Sequence, residues 1–196
     1  MTRTPWLWFV AGPNGAGKST YARNLSSEVE EIVRPDLIAF DLSPEDPERV
    51  ALKAGRLAIA RINILLAQKI SFAVETTLSG RFHLAAAQRA KSGGWGVGIV
   101  YIGLSSPAIA IERVRMRKVK GGHNVPPADV RRRYRRSLAN LAKIYGISDR
   151  LVVLDNSSAR TPMRRLLETN RGKVVFKQRR LPGWLTVALN PILKGR

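Results

Sequence analysis

The stretch Gly12-Pro13-Asn14-Gly15-Ala16-Gly17-Lys18-Ser19 decides the fold, because it matches the pattern G-x-x-x-x-G-K-S/T at every fixed position. Its three glycines allow the backbone to turn sharply, so that main-chain N–H groups can point inward at phosphate oxygens. The Lys18 side chain can reach the β- and γ-phosphates of a nucleotide, and the Ser19 hydroxyl can hold Mg²⁺. The sequence therefore predicts a phosphate-binding loop (P-loop), whose nucleotide-binding residues are Gly12, Pro13, Asn14, Gly15, Ala16, Gly17, Lys18, Ser19 and Thr20.

The residues on either side of this loop have the patterns of a strand and a helix. The apolar run from Trp6 to Ala11 is bounded by Pro5 and Gly12, which predicts a buried strand. After the loop, residues 18–26 predict a helix, whose positive N-terminal end adds to the attraction for phosphate. Because the guanine-reading pattern Asn-Lys-x-Asp is absent from the chain, ATP is favoured over GTP as the nucleotide.

Further along the chain, predicted strands alternate with predicted helices. Residues 32–36 predict a second short strand that ends in a turn at Asp36, and Ser43-Pro44 predicts the start of a helix. The alternation predicts an α/β fold in which a mainly parallel sheet lies between two helical layers, as a three-layer sandwich. We expect one domain over residues 1–196, with a basic C-terminal extension over about 171–196. Three more strands are predicted over residues 70–75, 96–104 and 150–155.

The composition argues against several other kinds of site. The chain has no cysteine, which excludes disulfides, thiolate zinc sites and a cysteine nucleophile, and its two histidines disfavour a histidine-rich metal site. No apolar run approaches the roughly 18 residues that a membrane-spanning helix needs. We therefore expect no membrane partner and a cytoplasmic location.

The net charge of +20 favours an anionic partner such as a nucleotide, a nucleic acid, an acidic protein or a membrane surface. Residues 112–136 hold ten Lys or Arg and two acids, and a second basic run lies at 171–180. We interpret the first cluster as a source of catalytic arginines. Its one aromatic residue, Tyr134, belongs to an apolar helix stripe, so we expect adhesion to nucleic acid to be incidental.

Four segments of the chain carry a family resemblance. They are Arg34-Pro35-Asp36-Leu37-Ile38, Glu75-Thr76-Thr77-Leu78-Ser79-Gly80-Arg81, Gly121-Gly122-His123-Asn124-Val125-Pro126 and the stretch from Arg133 to Leu141. We expect the carboxyl ends of strands to bring the first three segments around the P-loop. Together the four segments resemble the zeta-toxin family of P-loop kinases over residues 6–155, and more closely its short bacterial branch, often labelled as predicted ATPases.

The resemblance implies an adenylate-kinase-like core that transfers the γ-phosphate of ATP, with Mg²⁺, to a hydroxyl of a small anionic metabolite such as a nucleotide sugar. In the best-known zeta toxins the acceptor is a UDP-activated amino sugar, and a small antitoxin protein holds the toxin inactive. The chain departs from this pattern at Arg34, where the short branch more often has Asn. It also lacks the long substrate-binding elaborations of the larger toxins.

Carried over position by position, the resemblance implies a role for each matching residue. Asp36 matches the catalytic carboxylate, and Arg113 and Arg117 match arginines that clamp phosphates. The expected catalytic residues are Asp36, Lys18, Arg113 and Arg117, the expected acceptor-binding residues are Glu75, Thr77 and Arg81, and Ser19 is the expected metal ligand.

The residues themselves fit phosphoryl transfer, which needs charge neutralisation and positioning more than covalent chemistry. We expect Asp36 to lie at the tip of the second strand, which neighbours the P-loop in this type of fold, where it could orient the acceptor hydroxyl and take its proton. Arg34 would help to keep Asp36 ionised if the two side chains meet. Residues 117–127 are predicted to form an arginine-rich lid, hinged near Gly121-Gly122, that closes over the phosphates together with Arg133 or Arg136.

Several alternatives stay open at this point. Asp36 could serve as a turn residue, and Glu75 could hold a metal ion or form a structural ion pair. Asp155 imitates the acid of a Walker B strand, although we favour a structural role for it. The rival functions are a polynucleotide or nucleoside kinase, which predicts a basic groove with exposed aromatic side chains, and an ATP-binding switch module that transfers no phosphate.

Overall fold

A seven-stranded sheet runs through the protein in the order β2-β3-β1-β4-β5-β6-β7. The computed structural model describes residues 4–25, 29–119 and 125–193. The strands are β1 (Trp6–Ala11), β2 (Glu31–Val33), β3 (Phe72–Thr76), β4 (Gly96–Gly103), β5 (Arg150–Asp155), β6 (Arg164–Asn170) and β7 (Lys173–Lys177). The helices are α1 (Lys18–Ala22), followed by a 3₁₀ turn (Arg23–Leu25), α2 (Pro35–Leu42), α3 (Ala51–Gln68), α4 (Phe82–Ser92), α5 (Pro107–Val119), α6 (Pro127–Tyr145) and α7 (Gly183–Leu193).

The parallel part of the sheet is centred on β1. This strand pairs with β3 on one side and with β4 on the other, and both pairings are parallel. Strands β6 and β7 extend the sheet in the antiparallel direction beyond β5. Because the P-loop follows β1 directly, it emerges at the carboxyl edge of the parallel strands, where ligands bind in open α/β sheets.

Helices cover both faces of the sheet, and alternate residues of each central strand enter the two cores. On one face, buried side chains of α3, α4, α7 and the C-terminal half of α6 pack against the strands. On the other face, the contacts come from α1, α5 and the N-terminal half of α6. The predicted three-layer α/β sandwich with a mainly parallel central sheet is confirmed.

Tryptophans of β1 pack against glycines of the neighbouring β4. The register places Trp6 opposite Gly96 and Trp8 opposite Gly98. A Cβ atom at Gly98 would lie 2.3 Å from the Trp8 ring, so only glycine leaves room for it. The two indole rings stack with their centroids 5.5 Å apart, which fixes one sheet face beside the P-loop strand.

The structure corrects the interpretation of residues 32–36. Strand β2 ends at Val33, and Asp36 lies in the first turn of α2 instead of at the tip of a strand. The reason is Pro35, whose fixed φ suits the first position of a helix. In the sheet, β3 lies between β2 and β1, and the residues that follow β2 line the same pocket as the P-loop.

The helix predicted to start at Ser43 begins only at Ala51. The Ser43 hydroxyl accepts a hydrogen bond from the Asp46 N–H at 3.3 Å, and the Asp46 carboxylate accepts one from the Arg49 N–H at 3.2 Å. Such short-range bonds offer the backbone an alternative to the helix, so the predicted cap residues form turns.

The predicted lid over residues 117–127 is described only in part. Residues 117–119 form the last turn of α5, Val125 is buried, and Pro126 precedes α6. Residues 120–124, which include the predicted hinge Gly121-Gly122 and His123, lie outside the described residues.

The basic run at residues 171–180 contains β7, the last strand of the sheet. Beyond it, α7 packs on the core through Trp184 and Leu185. Within residues 4–25, 29–119 and 125–193, no helix is both long and apolar enough to cross a membrane.

Candidate active site

A pocket of about 460 Å³ opens at the carboxyl edge of the parallel strands. Its wall combines the P-loop, the end of β3, the start of α2 and side chains of α4, α5 and α6. Arg81 is exposed at the start of α4 and does not line this pocket, and neither do Gly12, Pro13 and Ala16 of the P-loop. The predicted residues on the wall are Asn14, Gly15, Gly17, Lys18, Ser19, Thr20, Asp36, Glu75, Thr77, Arg113 and Arg117.

The P-loop backbone takes a form that glycine alone accommodates. Gly12 has a φ of 142°, and a Cβ atom there would lie 2.1 Å from the Ile102 carbonyl oxygen. Gly17 has a φ of 93°, and its Cβ would lie 2.8 Å from the Asn156 side-chain nitrogen. The glycines thus let the loop pack closely against its neighbours with the positive φ angles that a phosphate-binding loop uses.

Asn156, which was not predicted as a site residue, holds the P-loop in place through a hydrogen bond. Its side-chain nitrogen donates to the Ala16 carbonyl at 2.9 Å, and its side-chain oxygen accepts from the Met163 N–H at 3.3 Å. A contact across 140 residues leaves no local pattern in the chain. The only available signal was its position just after β5, at the carboxyl edge of the sheet.

Lys18 is buried in the pocket, where its ammonium donates a hydrogen bond to the Pro13 carbonyl at 3.0 Å. Burial lowers the pKa of Lys18 below its ordinary value, and the positive charges of Arg117 and Arg133 act in the same direction. The carboxylates of Glu75 and Asp36 oppose this effect. The charges of both acids and of one arginine from each of α5 and α6 therefore act on the Lys18 ammonium.

Ser19 and Glu75 meet on the pocket wall, where the Ser19 hydroxyl donates to a Glu75 carboxylate oxygen at 2.8 Å. A hydroxyl and a carboxylate side by side are ligands that Mg²⁺ prefers. In the part of the chain that is described, no three His, Asp or Glu side chains converge to hold a metal alone. The pair therefore fits an ion that also binds phosphate oxygens and water.

Asp36 and Arg34 both line the pocket, but the described structure contains no ion pair between them. Asp36 is the second residue of α2 and is exposed to the pocket opening. Asp155, the residue that imitates a Walker B acid, does not line the pocket. Its carboxylate accepts a hydrogen bond from the Ser157 N–H at 3.1 Å and pairs with Arg164, which supports the structural role favoured above.

Three arginines from two helices reach the pocket. Arg113 of α5 donates to the Gly15 carbonyl at 3.3 Å, and Arg117 follows one turn later on the same helix. Arg133 of α6 also lines the wall, whereas Arg136 is exposed outside it. Both Arg133 and Arg136 were predicted to approach the phosphates. The packing of α6 places only Arg133 of this pair on the pocket wall.

His83 and Thr76 are pocket residues that the sequence did not propose as site residues. The Thr76 hydroxyl lies 3.2 Å from the His83 Nδ1 atom and accepts a hydrogen bond from the Leu78 N–H at 2.9 Å. Burial lowers the pKa of His83 to about 4, so its ring is neutral at pH 7. Thr76 lies between two predicted residues, Glu75 and Thr77, which was its only signal in the sequence.

The backbone after β3 is held in an unusual conformation beside these residues. Leu78 is buried with a φ of 55°, which is uncommon for a residue other than glycine. Asn140 of α6 donates to the Leu78 carbonyl at 2.9 Å and so holds the turn in place. Strained turns of this kind cluster at functional sites, and this one carries Thr77 on the pocket wall.

The fold and the pocket define a P-loop protein of the mixed α/β class. A family model described as Zeta toxin matches residues 1–162, and the chain therefore belongs to the zeta toxin family. The resemblance inferred over residues 6–155 is confirmed. Membership of this family and the P-loop kinase fold support a kinase-like enzyme that uses a nucleotide.

Similar proteins include an uncharacterized protein of Haemophilus influenzae, which is 34% identical over 126 residues, 64% of this chain and 90% of that protein. Among solved structures, the AvrRxo1-ORF1:-ORF2 complex with ATP has a TM-score of 0.67 at 17% identity, over 87% of this chain and 60% of that one. A structure of the PezAT chromosomal toxin–antitoxin system of Streptococcus pneumoniae has a TM-score of 0.61 at 16% identity, over 100% of this chain and 80% of that one. The chain thus spans about 60% of the AvrRxo1-ORF1:-ORF2 chain that it matches.

Proposed function

We propose that this protein is a phosphotransferase that moves the γ-phosphate of ATP to a hydroxyl of a small anionic metabolite such as a nucleotide sugar. The observation that carries the proposal is the presence of the P-loop lysine Lys18, two carboxylates and four arginines around one pocket. Phosphoryl transfer requires positive groups that neutralise the charge of the phosphates and a carboxylate that positions the attacking hydroxyl.

The nucleotide side of the pocket consists of the P-loop and the arginines of α5. Backbone N–H groups of the loop and the Lys18 ammonium bind the phosphates. Arg113 is tied to the loop through Gly15, so it stands beside these phosphates. Arg117 and Arg133 add positive charge where negative charge develops in the transition state. Closure of a lid over residues 117–127 remains part of this proposal.

Ser19 and Glu75 would hold Mg²⁺ through the hydroxyl and the carboxylate that now share a hydrogen bond. When bound, the ion supplies neutralisation of charge on the phosphate oxygens. Glu75 was expected to bind the acceptor, and its contact with Ser19 favours the metal role that the sequence left open.

The acceptor side consists of Asp36 and the turn after β3. Asp36 accepts a hydrogen bond from the acceptor hydroxyl, orients it toward the γ-phosphate and takes its proton. Thr77 shares a hydrogen bond of 2.9 Å with Ser79, which leaves it oriented at the pocket wall. Arg81, exposed nearby at the start of α4, reaches an acceptor only if that acceptor extends beyond the pocket.

A kinase of nucleic-acid ends is less favoured, because no Phe, Tyr or Trp occurs among the described residues that line the pocket. Stacking on such rings is how single strands are commonly held. The other rival is an ATP-binding switch module that transfers no phosphate, and the experiment must distinguish it from a kinase.

A small antitoxin protein is proposed as a partner. The solved relatives include a toxin–antitoxin system and a complex of two chains, AvrRxo1-ORF1 and -ORF2. We further propose a cytoplasmic protein with a single catalytic domain over residues 1–196.

The test is to incubate the protein with ATP, Mg²⁺ and a metabolite extract and to search for a new phosphorylated species by mass spectrometry. Lys18→Ala should abolish the product and leave the fold intact, because it removes a charge next to the transferring phosphate. Lys53→Ala, at an exposed lysine of α3 outside the pocket, serves as the matched control. Unchanged turnover in Lys18→Ala would refute the proposal, and ATP binding without any product would favour the switch module.

A further inference from the structure

We propose that Arg34 forms an anion-binding subsite in the acceptor half of the pocket, and that the acceptor carries a phosphate or carboxylate close to the hydroxyl that receives the γ-phosphate. This inference rests on the proposed function and adds to it the chemical class of the acceptor. It is carried by the contacts of Arg34, by the charge of the pocket wall and by the position of Asp36.

Arg34 lies at the junction of β2 and α2, where it precedes the first residue of the helix and lines the pocket. Its Nε atom is buried and has no hydrogen-bond partner among the described residues. Within the same residues, its guanidinium takes part in no ion pair. A buried donor without a partner is costly, and the cost is larger for a charged group.

An anion in the pocket would remove this cost. The planar guanidinium presents parallel N–H donors that match the two oxygens of a carboxylate or phosphate. Asp36 is two residues away along the chain and does not take this place. The partner that fits is therefore an oxyanion brought by a ligand.

The charge of the pocket wall also favours anionic ligands. Five cationic side chains line it, Lys18, Arg34, Arg113, Arg117 and Arg133, against the two carboxylates of Asp36 and Glu75. The His83 ring is neutral and adds no charge. An excess of positive charge in a confined site attracts and orients anionic substrates.

Arg34 belongs to a different part of the wall from the cations that surround the P-loop. Arg113 and Arg117 come from α5 and Arg133 from α6, and Arg113 contacts the P-loop directly. Arg34 instead precedes α2, two residues before Asp36. We therefore assign Arg34 to the acceptor side of the pocket, together with Asp36.

The position of Asp36 limits how far this anion is from the reacting hydroxyl. Residues two apart along a chain have Cα atoms at most about 7 Å apart. Arg34 and Asp36 both face the same pocket, so one small acceptor can contact both. Suitable acceptors are hydroxylated compounds with a phosphate, diphosphate or carboxylate a few bonds from the hydroxyl.

The test is calorimetric titration of inorganic phosphate, and separately of acetate, into protein saturated with Mg²⁺ and a non-hydrolysable ATP analogue. With the P-loop occupied by the analogue, the wild type should bind one anion, and Arg34→Gln should weaken this binding at least tenfold. Arg34→Lys keeps the positive charge but loses the paired N–H donors of the guanidinium, so its affinity for the anion should lie between those of the wild type and Arg34→Gln. The anion that binds more tightly identifies the acceptor group.

The matched control is Arg135→Gln, which removes the same charge from an exposed position of α6 outside the pocket. Equal weakening in Arg34→Gln and Arg135→Gln, or no binding of either anion to the wild type, would overturn the inference. A product of the metabolite screen with no anionic group besides the transferred phosphate would overturn it as well.

Binding of the ATP analogue is measured on the same samples and separates the two proposals. If the analogue binds normally and anion binding is insensitive to Arg34, the subsite is refuted while the proposed function stands. If the wild type fails to bind the analogue, the proposed function is refuted, and this inference with it. Thermal unfolding of Arg34→Gln and Arg34→Lys verifies that both variants are folded.

Discussion

Burial and charge act in opposite directions on the Lys18 ammonium. Removal from water favours its neutral form, while the carboxylates of Glu75 and Asp36 favour the charged form that binds phosphate. The two acids thus stabilise the charge of the P-loop lysine, in addition to the catalytic and metal-binding roles proposed for them. A substitution at either acid must be tested for nucleotide binding as well as for transfer.

At Asp36 we predict a catalytic effect with little effect on binding. Asp36→Asn keeps the shape of the side chain and removes the base, so the transfer rate should fall by roughly 100-fold or more. The affinity for ATP should change little, since Glu75 still supports the charge of Lys18. Single-turnover transfer and binding of an ATP analogue measure the two effects separately.

Asp41→Asn is the control for this variant, because Asp41 is an exposed acid of the same helix outside the pocket. It should leave both transfer and binding unchanged. If Asp36→Asn instead loses ATP binding or stability, with unchanged transfer per bound ATP, Asp36 is structural. The base would then have to be sought at Glu75.

At the scale of elements, α5 and α6 each divide their basic residues between two faces. Arg113 and Arg117 of α5 face the pocket, while Arg115 forms an outward pair with Glu112. On α6, Arg133 lines the pocket, while Arg132 pairs with Asp129. Exposed pairs of this kind contribute little to stability. We expect the functional effect of the basic cluster to come from the residues that line the pocket.

Alanine substitutions along these two helices should therefore have unequal effects. We expect at least one of Arg113→Ala, Arg117→Ala and Arg133→Ala to lower the transfer rate tenfold or more, because each removes a positive charge from the wall of the pocket proposed to bind the phosphates. Arg136→Ala, on α6 but outside the pocket, should leave the rate unchanged. If no single change reaches tenfold, the cluster is surface charge.

At the scale of the whole molecule, Asp149 joins the parallel and antiparallel parts of the sheet. Its carboxylate accepts a hydrogen bond from the Val97 N–H at 2.9 Å and pairs with Lys91, and its carbonyl accepts from the Arg171 N–H at 2.6 Å. Burial alone would raise the pKa of Asp149. The bonds from Lys91 and Val97, with the charges of Lys91 and Arg171, outweigh burial and hold the pKa below its ordinary value.

The lowered pKa predicts a loss of stability in acid. A carboxyl whose pKa is lower in the folded state contributes stability above its unfolded pKa, and this contribution is lost as the pH falls through the folded pKa. Asp149→Asn should cost about 1–2 kcal/mol at pH 7, and the difference from wild type should shrink below about pH 4. Urea unfolding at pH 7 and pH 3 measures both, with Asp41→Asn as the control. A difference that is independent of pH would show that the Asp149 charge does not matter.

The net charge of +20 predicts adhesion to nucleic acid that is blind to sequence and incidental to function. Binding of this kind depends on the release of counterions, so the affinity should fall steeply as salt rises. Filter binding of unrelated DNA and RNA oligonucleotides over a range of salt concentrations measures it, and all should bind alike. Specific phosphorylation of 5′ ends at physiological salt would instead make the protein a polynucleotide kinase.

The sequence by itself determined the P-loop, the alternation of strands and helices, and the family. Each of these is encoded in short stretches, because glycine spacing and apolar periodicity act on neighbouring residues. The strands from Trp6, Gly96 and Arg150 were therefore predicted within a residue or two. The family resemblance pointed to Asp36 and Glu75 as site residues, and both acids line the pocket beside the P-loop.

Only the tertiary structure decided which side chains share the pocket. It put Arg133 on the pocket wall and left Arg136 outside it. It also brought His83 next to Thr76 and let Asn156 donate a hydrogen bond to the P-loop. It also put β3 between β2 and the P-loop strand and turned the residues after Val33 into a helix. These outcomes depend on how distant elements pack, and packing energy is shared among many residues that no local pattern connects.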